Sequence, residues 1–575
     1  MRHVGPEFQV NAVTTVEGTL SGMSEDVAAQ PQEPRSTLSV FANRNFAVIV
    51  IASGVANLAA AMFDTASSWL MTSLNSDPVM VSAVQVATML PMFLLTIPSG
   101  TLADIVDARR LLIGSEVFIS LVALLFAAAV SFKLVNATGL LAATFLLCAG
   151  GALAAPAWLL TTPMLVPRAD LDAAVAINNV SFNISRAIGP AIGGLAIAAY
   201  DVELPFWFYL LGNLGVVAAL VWWRRPSQAP ESLPAERFVN AIESGVRYAR
   251  HNSDLGATVV RALAFFPFAS AYWALLPLIA RHLEPNGATF YGIMFGALGV
   301  GSILGSLVLN PLKARVGPDA MAALGALGTV IALAGFAAAR EPILALSASL
   351  VAGASWIITM TTLFISAQVA LPNWVLGRGL AIFLTIYFGA MTFGSALWGK
   401  VANVAGLPTA LYIAAACAFV ATLLSWPWKL QTGAARDLSP SMHWRAPVFV
   451  QRIEDDSGPI LVTVEYRIDP KNLKPFLLAL HVIGGERRRD GAYAWGSFED
   501  VKKDGRIIET FLVRSMGELK HLRARVTVAD QLIEEKSRQF VLEPPKVSFL
   551  VAPKREWFGR RKVVAEPEPA EPTPA

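Results

Sequence analysis

The chain has 575 residues, of which 55% are hydrophobic and 15% charged, with a mean hydropathy of +0.53. Soluble proteins carry about 25% charged residues, so a purely soluble enzyme is excluded, along with collagen, coiled coil and wholesale disorder. The formal charge of +3 is too small and too evenly mixed for nucleic acid, and Cys148 and Cys417 both lie in apolar runs, which leaves no disulfide framework or zinc site in view.

The charge is unevenly spread. The last 147 residues hold 46 charged side chains, whereas the first 428 hold 41. Residues 1–40 are expected to be a disordered tail, polar and carrying Pro31 and Pro34. A bilayer core of about 30 Å needs about 20 apolar residues as a helix, because each backbone polar group must be paired within the segment. Such stretches fall at 46–74, 79–103, 110–132, 138–162, 172–199 and 204–223, then at 257–280, 288–311, 319–339, 342–366, 377–402 and 407–428. Twelve spans put both termini on one side. Loops on that side hold Arg109, Arg110, Arg168, Arg224, Arg225, Arg237, Arg247, Arg250, Lys313, Arg315 and Arg378; those on the other hold Lys133, Arg281, Arg340 and Lys400. That bias predicts cytoplasmic termini for a multi-pass protein of the inner (plasma) membrane.

A repeat lies in the loops. Gly100 and Gly305, Arg110 and Arg315, Pro167 and Pro372, Gly189 and Gly394, and Gly194 and Gly399 are all 205 residues apart. Six spans are therefore repeated: a first half (41–223), a linker (224–256) and a second half (257–428). Two such halves around a central cavity are the architecture of an alternating-access carrier.

Gly100, Leu102, Ala103, Asp104, Arg109 and Arg110 resemble the loop signature of the major facilitator superfamily. Trp69-Leu-Met-Thr-Ser-Leu74, Gln85, Leu90-Pro91, Val166-Pro167-Arg168 and the run Asn183 to Gly194 resemble its enterobactin-exporter-like branch, the transmembrane secretion effectors, over about residues 40–428. Ile105, Asp107 and Ala108 depart from the general signature, and the second copy lacks the acid. A charge-relay role implied by the resemblance therefore rests on Asp104 with Arg109 and Arg110. Gly100 and Asp104 share a helix face at the cytoplasmic end of the second span, where glycine admits a neighbouring helix and Asp104 can accept hydrogen bonds or pair with Arg109. The alternative is a topology-setting basic loop with a helix cap.

Gly189-Pro190-x-x-Gly193-Gly194 in the fifth span resembles the antiporter signature of the superfamily, with Ser185 replacing its first glycine, and implies export in exchange for protons. The alternative is a packing motif, since Gly and Pro are common in membrane helices. Ionisable residues inside spans are functional by default. Asp64, mid-helix in the first span, is the leading proton-coupling candidate. Glu116 in the third span and Arg186 in the fifth follow, and Arg186 can counter an anionic substrate or pair with a carboxylate. Their structural alternatives are hydrogen bonding beside Ser67 and Ser68, snorkelling, and packing. Trp158, Trp207, Phe208, Trp273, Trp356, Tyr387 and Trp398 are expected mostly in interfacial belts, with a few lining a cavity. In the linker, Phe238, Ile242, Val246, Tyr248 and Ala249 fit a short amphipathic surface helix.

From Ile460 the period changes. Ile460–Ile468 alternates as a strand, Pro470 opens a helix toward Arg489, and Tyr493–Glu499 with Arg506–Val513 forms a hairpin around Lys503-Asp504-Gly505. Gly517–Phe540 reads as one long amphipathic helix and Lys546–Val551 as a last strand. That is a soluble ferredoxin-like α+β domain at 440–555, ahead of a Pro/Glu tail at 556–575. Tyr493-Ala-Trp495-Gly496 and Arg525–Asp530 resemble dimeric α/β-barrel domains related to antibiotic-biosynthesis monooxygenases, which implies a homodimer through this domain. His481, Trp495 and His521 are its only side chains suited to catalysis, and no acid–base pair or metal cluster surrounds them by spacing, so no enzyme activity is expected.

The fold class expected is thus an all-α polytopic membrane protein with a soluble appendage. Its expected function is proton-coupled efflux of a small amphipathic molecule, of the siderophore or drug class. The energy source is the proton gradient, with no cofactor, metal or catalytic residue. The partners are the substrate and the bilayer. The alternatives are a transporter fused to a substrate-modifying enzyme and a membrane sensor that does not transport.

Overall fold

The computed structural model of the chain describes residues 37–223, 246–284, 287–313, 315–372, 374–431, 437–441 and 457–552. Twelve helices are long and apolar enough to span a membrane. The first six are α1 (Arg44–Leu74), α2 (Pro78–Ile105), α3 (Ala108–Ser131), α4 (Ala137–Leu165), α5 (Leu171–Ala199) and α6 (Leu204–Trp222). The second six are α7 (Ser253–Leu283), α8 (Ala288–Lys313), α9 (Pro318–Ala338), α10 (Pro342–Val369), α11 (Leu376–Ala405) and α12 (Leu407–Leu424). Many begin where a short polar side chain replaces the missing intrahelical partner. Asn43, Asp77, Asn136 and Asn252 each accept from amides of the first turn of α1, α2, α4 and α7. The last span is shorter than the hydropathy suggests: α12 stops at Leu424, and Trp426 and Trp428 lie in the turn beyond it.

The 205-residue repeat is realised as paired helix contacts. Gly189 lets α5 press on α1, where an added Cβ would fall 2.6 Å from the Ala61 Cβ. Its counterpart Gly394 does the same for α11 on α7, with Pro267 Cα 2.8 Å from the corresponding point. Further along, Gly194 brings α5 against α8, and Gly399 brings α11 against Ser82 of α2. The first pair packs each half internally; the second joins the halves to each other.

After the bundle come β1 (Ile460–Arg467), α13 (Leu473–Asp490), β2 (Ala494–Glu499), β3 (Arg506–Val513), α14 (Met516–Arg525), α15 (Val528–Arg538) and β4 (Lys546–Val551). The strands form one antiparallel sheet in the order β2-β3-β1-β4, the ferredoxin-like arrangement. Alternate residues Ile460, Val462, Val464 and Tyr466 of β1 face the helices and are buried with Ile507, Phe511 and Val513 of β3. The single helix expected over 517–540 is broken in two. Thr527 caps α15, its hydroxyl accepting from the Asp530 amide while the Asp530 carboxylate accepts from the Thr527 amide and hydroxyl, and this box ends α14 at Arg525.

The domain docks on the face of the bundle that carries both chain ends. Arg247 donates to Glu518 of α14 at 3.1 Å, Arg525 lies 4.4 Å over the ring of Trp374 in the α10–α11 connection, and Arg489 lies 5.3 Å over Tyr248. Tyr248 and Trp374 meet edge to face at 5.4 Å. Of the amphipathic helix expected in the linker, residues 224–245 lie outside the description. The helical turn 246–251 is present, but Tyr248 is buried beneath the C-terminal domain instead of lying on a membrane surface. The N-terminal tail expected over 1–40 lies outside the description up to residue 36; Thr37–Ala42 is a 3-10 turn with Val40 buried among apolar residues of the first half. The Pro/Glu tail, 556–575, also lies outside.

Candidate functional site

Between the halves lies a cavity of about 330 Å³. The first half contributes Asn57, Asp64, Ser67 and Ser68 from α1, Gln85, Thr88, Met89 and Met92 from α2, Thr144 from α4, and Phe182, Arg186 and Pro190 from α5. The second contributes Trp273 of α7, Tyr291 and Phe295 of α8, Trp356 of α10, and Tyr387 and Met391 of α11. Asp64 lies ten residues short of the end of α1, so about 15 Å from that membrane face.

Asp64 and Arg186 are both exposed to the cavity. Neither forms a hydrogen bond or ion pair with a described residue. Arg186 instead lies 5.7 Å over the ring of Trp273 and 5.9 Å over that of Phe182. The buried hydroxyls of Ser67 and Thr144, also on the cavity wall, have no hydrogen-bond partner among the described residues. The second half supplies an aromatic wall. Trp273 packs edge to face on Trp356 at 5.2 Å and on Phe295 at 5.5 Å, while Phe266 bridges Trp356 to Tyr387. Tyr291 stacks on Trp69 across the two halves.

The other sequence candidates are distributed around this cavity. Glu116 is buried on α3, accepts from Trp158 Nε1 at 3.3 Å, and is not on the cavity wall. Of the Gly-Pro run, Pro190 lines the cavity, while Gly189 and Gly193 seat α5 against Ala61 and Met62 of α1. Gly194 faces Gly292 of α8, with 2.8 Å from its would-be Cβ to the Gly292 Cα. Arg109 donates to the carbonyls of Leu220 and Val221, tying the start of α3 to the end of α6. The Asp107 carboxylate accepts from the Arg110 amide, and the Arg110 side chain is exposed. The side chain of Asp104 lies outside the description. At Gly100 an added Cβ would meet nothing within 4 Å, so no neighbouring helix approaches it in this conformation.

The two ends of the cavity differ. From mid-span toward the face opposite the chain ends the halves are in contact: Gly299 against Ala187, Gly194 against Gly292, Gly399 against Ser82, and Asn403 Nδ2 donating to Asp77 Oδ1 at 2.6 Å. On the other face, both Gly100 of α2 and Gly377 of α11 look onto open space.

The aromatic residues do not mainly form belts. Trp273, Trp356 and Tyr387 converge on the cavity, Trp398 is buried and donates to Pro267 O, Trp158 holds Glu116, and Trp207 donates to Ser131. One charged pair escaped the sequence reading: Arg261 of α7, 4% exposed, donates to Asp319 of α9 at 3.0 Å and to the Trp428 carbonyl. Its position, eight residues into a span, was the available signal.

A family profile described as transmembrane secretion effector matches residues 35–556. The chain belongs to this family. The transmembrane secretion effector resembles the enterobactin exporter EntS of Escherichia coli strain UTI89, with 27% identity over 225 residues, or 39% of this chain and 52% of that protein. EntS of Escherichia coli strain HS gives the same identity and coverage. The chain thus spans about half the length of the curated relatives it matches. Among solved structures, the nucleoside transporter NupG is similar with a TM-score of 0.54 at 11% identity, covering 67% of this chain and 98% of that one. The peptide transporter POT gives 0.56 at 13% identity, covering 66% and 93%. These establish the major facilitator fold. The chain is a multi-pass membrane protein of this family, with a small C-terminal α+β domain.

Proposed function

We propose that this effector exports a small amphipathic molecule, of the drug or siderophore class, in exchange for protons. In this reading it sits in the inner membrane with both termini in the cytoplasm. The observation that carries the proposal is Asp64, a carboxylate exposed at mid-depth in a cavity between two repeated halves, with no ion-pair partner among the described residues. Such a group is costly inside a membrane unless it is used. In the conformation described, substrate enters from the face bearing the chain ends and Asp64 gives up its proton there. The halves then rock, the α5–α8 and α2–α11 contacts part, and Asp64 is reprotonated from the other side as substrate leaves. Gly100 and Asp104 come under a neighbouring helix only when the first face closes, while Arg109 carries the basic loop with α6. The proton gradient is the energy source.

The C-terminal domain is read as a dimerisation or sensing module, not as an enzyme. Most of its buried ionisable groups, among them Arg487, Glu509, Asp530 and Glu534, are engaged in internal bonds, and the outer sheet face aligns Ala494, Leu512, Leu461 and Leu550 in one apolar row suited to pairing with a second copy.

Proteoliposomes with an imposed pH gradient test the transport reading, using a panel of fluorescent one- and two-ring amphiphiles. Gradient-driven movement is expected for the wild type and background movement for Asp64→Asn at equal expression. No gradient-driven movement, or full activity in Asp64→Asn, overturns it.

A further inference from the structure

We propose that the cavity's ligand is an acidic aromatic molecule of one or two rings, its carboxylate held by Arg186 and its ring laid on the Trp273–Trp356 wall. The inference rests on the transporter reading and adds the chemical class of what is carried.

Two charged side chains line the cavity, and they are not equivalent. Asp64 can discharge itself by taking a proton. Arg186 cannot, because a guanidinium stays charged at every physiological pH. Among the described residues no carboxylate oxygen lies within ion-pair distance of Arg186, and no carbonyl or hydroxyl accepts from it. Its five N–H donors are therefore available on a side chain that projects into the cavity. A planar donor fork of this kind is matched by a carboxylate, which accepts two parallel bonds.

The rest of the ligand is specified by what surrounds the fork. Arg186 lies over Trp273, and Trp273 meets Trp356 edge to face, so the surface next to the anion site is aromatic. An aromatic ring joined to the carboxylate buries its face there and stacks in the offset or edge geometry such rings prefer. A volume of about 330 Å³ is at the small end of ligand pockets and admits one or two rings, not a macrocycle. The anion anchor comes from the first half and the aromatic wall from the second, so one ligand of this class bridges both moving parts.

The test uses the full chain in lipid nanodiscs and two probes of equal size, radiolabelled 1-naphthoate and neutral 1-naphthamide, in equilibrium dialysis against empty nanodiscs. The wild type is expected to bind naphthoate at least about tenfold more tightly than naphthamide, the advantage of a charge-assisted bidentate contact. Arg186→Gln should erase that difference, with thermal challenge followed by size exclusion showing that the variant is folded; Arg186→Lys should retain part of it. Equal binding of the two probes, binding of neither, or a preference that survives Arg186→Gln overturns the inference. A protein that binds naphthoate through Arg186 but moves no protons keeps this inference and loses the efflux reading. Gradient-driven movement of neutral amphiphiles with no naphthoate preference does the reverse.

Discussion

In the C-terminal domain, Glu509 is completely buried, yet it accepts from Tyr466 at 2.8 Å and from Trp495 Nε1 at 2.9 Å. Arg487 faces it at 3.7 Å and donates to Glu534 at 2.7 Å. Burial, ahead of the neighbouring Glu509 charge, pushes the Tyr466 hydroxyl well above its usual range, which keeps it a donor. In the bundle cavity, Asp64 and Arg186 carry the same kinds of charge, face open space and have no such partners. The contrast separates two uses of interior charge. Where each group is bonded to another protein group, charge fixes packing; where it is left unbonded in a cavity, charge is available to a proton or a ligand.

The largest effect expected from this comparison is at Arg487. Arg487→Met leaves Glu509 and Glu534 buried without their cation and should destabilise the domain by about 3–5 kcal/mol. Arg186→Gln should change bundle stability by only about 1 kcal/mol, because it loses the ring contacts with Trp273 and Phe182 but no hydrogen bond or ion pair to a described residue. Pulse proteolysis of the full chain for the first, and thermal challenge followed by size exclusion for the second, would break the comparison if the magnitudes came out reversed.

Next in size are the repeated glycines. Gly194→Val and Gly399→Val each force a side chain into an inter-half contact and should cost about 1–3 kcal/mol. The comparison sharpens if the two costs agree, since the contacts are related by the repeat. A large cost at one site and none at the other, read by the same thermal challenge, would show that only one seam holds the halves.

A smaller effect concerns Glu486 of α13, a buried carboxyl whose Oε2 has no hydrogen-bond partner among the described residues. Burial, then the Asp530 carboxylate, pushes it up to about 8, while Arg489 and Arg487 oppose the shift. Folding therefore takes up a proton between the ordinary carboxylate range and about 8. The stabilisation is complete below that range and is lost as pH rises through about 8. Between about pH 6 and about pH 9, the unfolding free energy of the domain, read from urea titration, should fall in the wild type and fall less in Glu486→Gln. An unchanged slope in the variant places the titration elsewhere.

The spans were legible because a bilayer demands length and apolarity, and few alternatives satisfy both. The 205-residue offset was legible because glycine at a helix crossing cannot be exchanged for a larger residue. Strand alternation in β1 and β3 identified the faces of the sheet. The break between α14 and α15 was signalled by Thr527 and Asp530, three apart, but the amphipathic period runs on through them and hid it. Which of the interior ionisable residues shared a cavity was not legible. Helices apolar on every face do not declare which side meets a neighbour, so Asp64, Glu116 and Arg186 looked alike until Trp158 was found to hold Glu116. The Arg525–Trp374 and Arg489–Tyr248 contacts join segments more than a hundred residues apart, beyond any local pattern.

Those two contacts, with Arg247–Glu518, give the C-terminal domain a mechanical address. All three land beside α7 or on the α10–α11 connection, so in the proposed transport cycle the domain is a handle fitted to one of the two rocking halves. A molecule that grips the handle loads the second half directly, without entering the cavity or competing for Asp64 and Arg186. Holding it would slow one partner of a two-part motion, a brake whose strength is independent of how tightly the cargo binds.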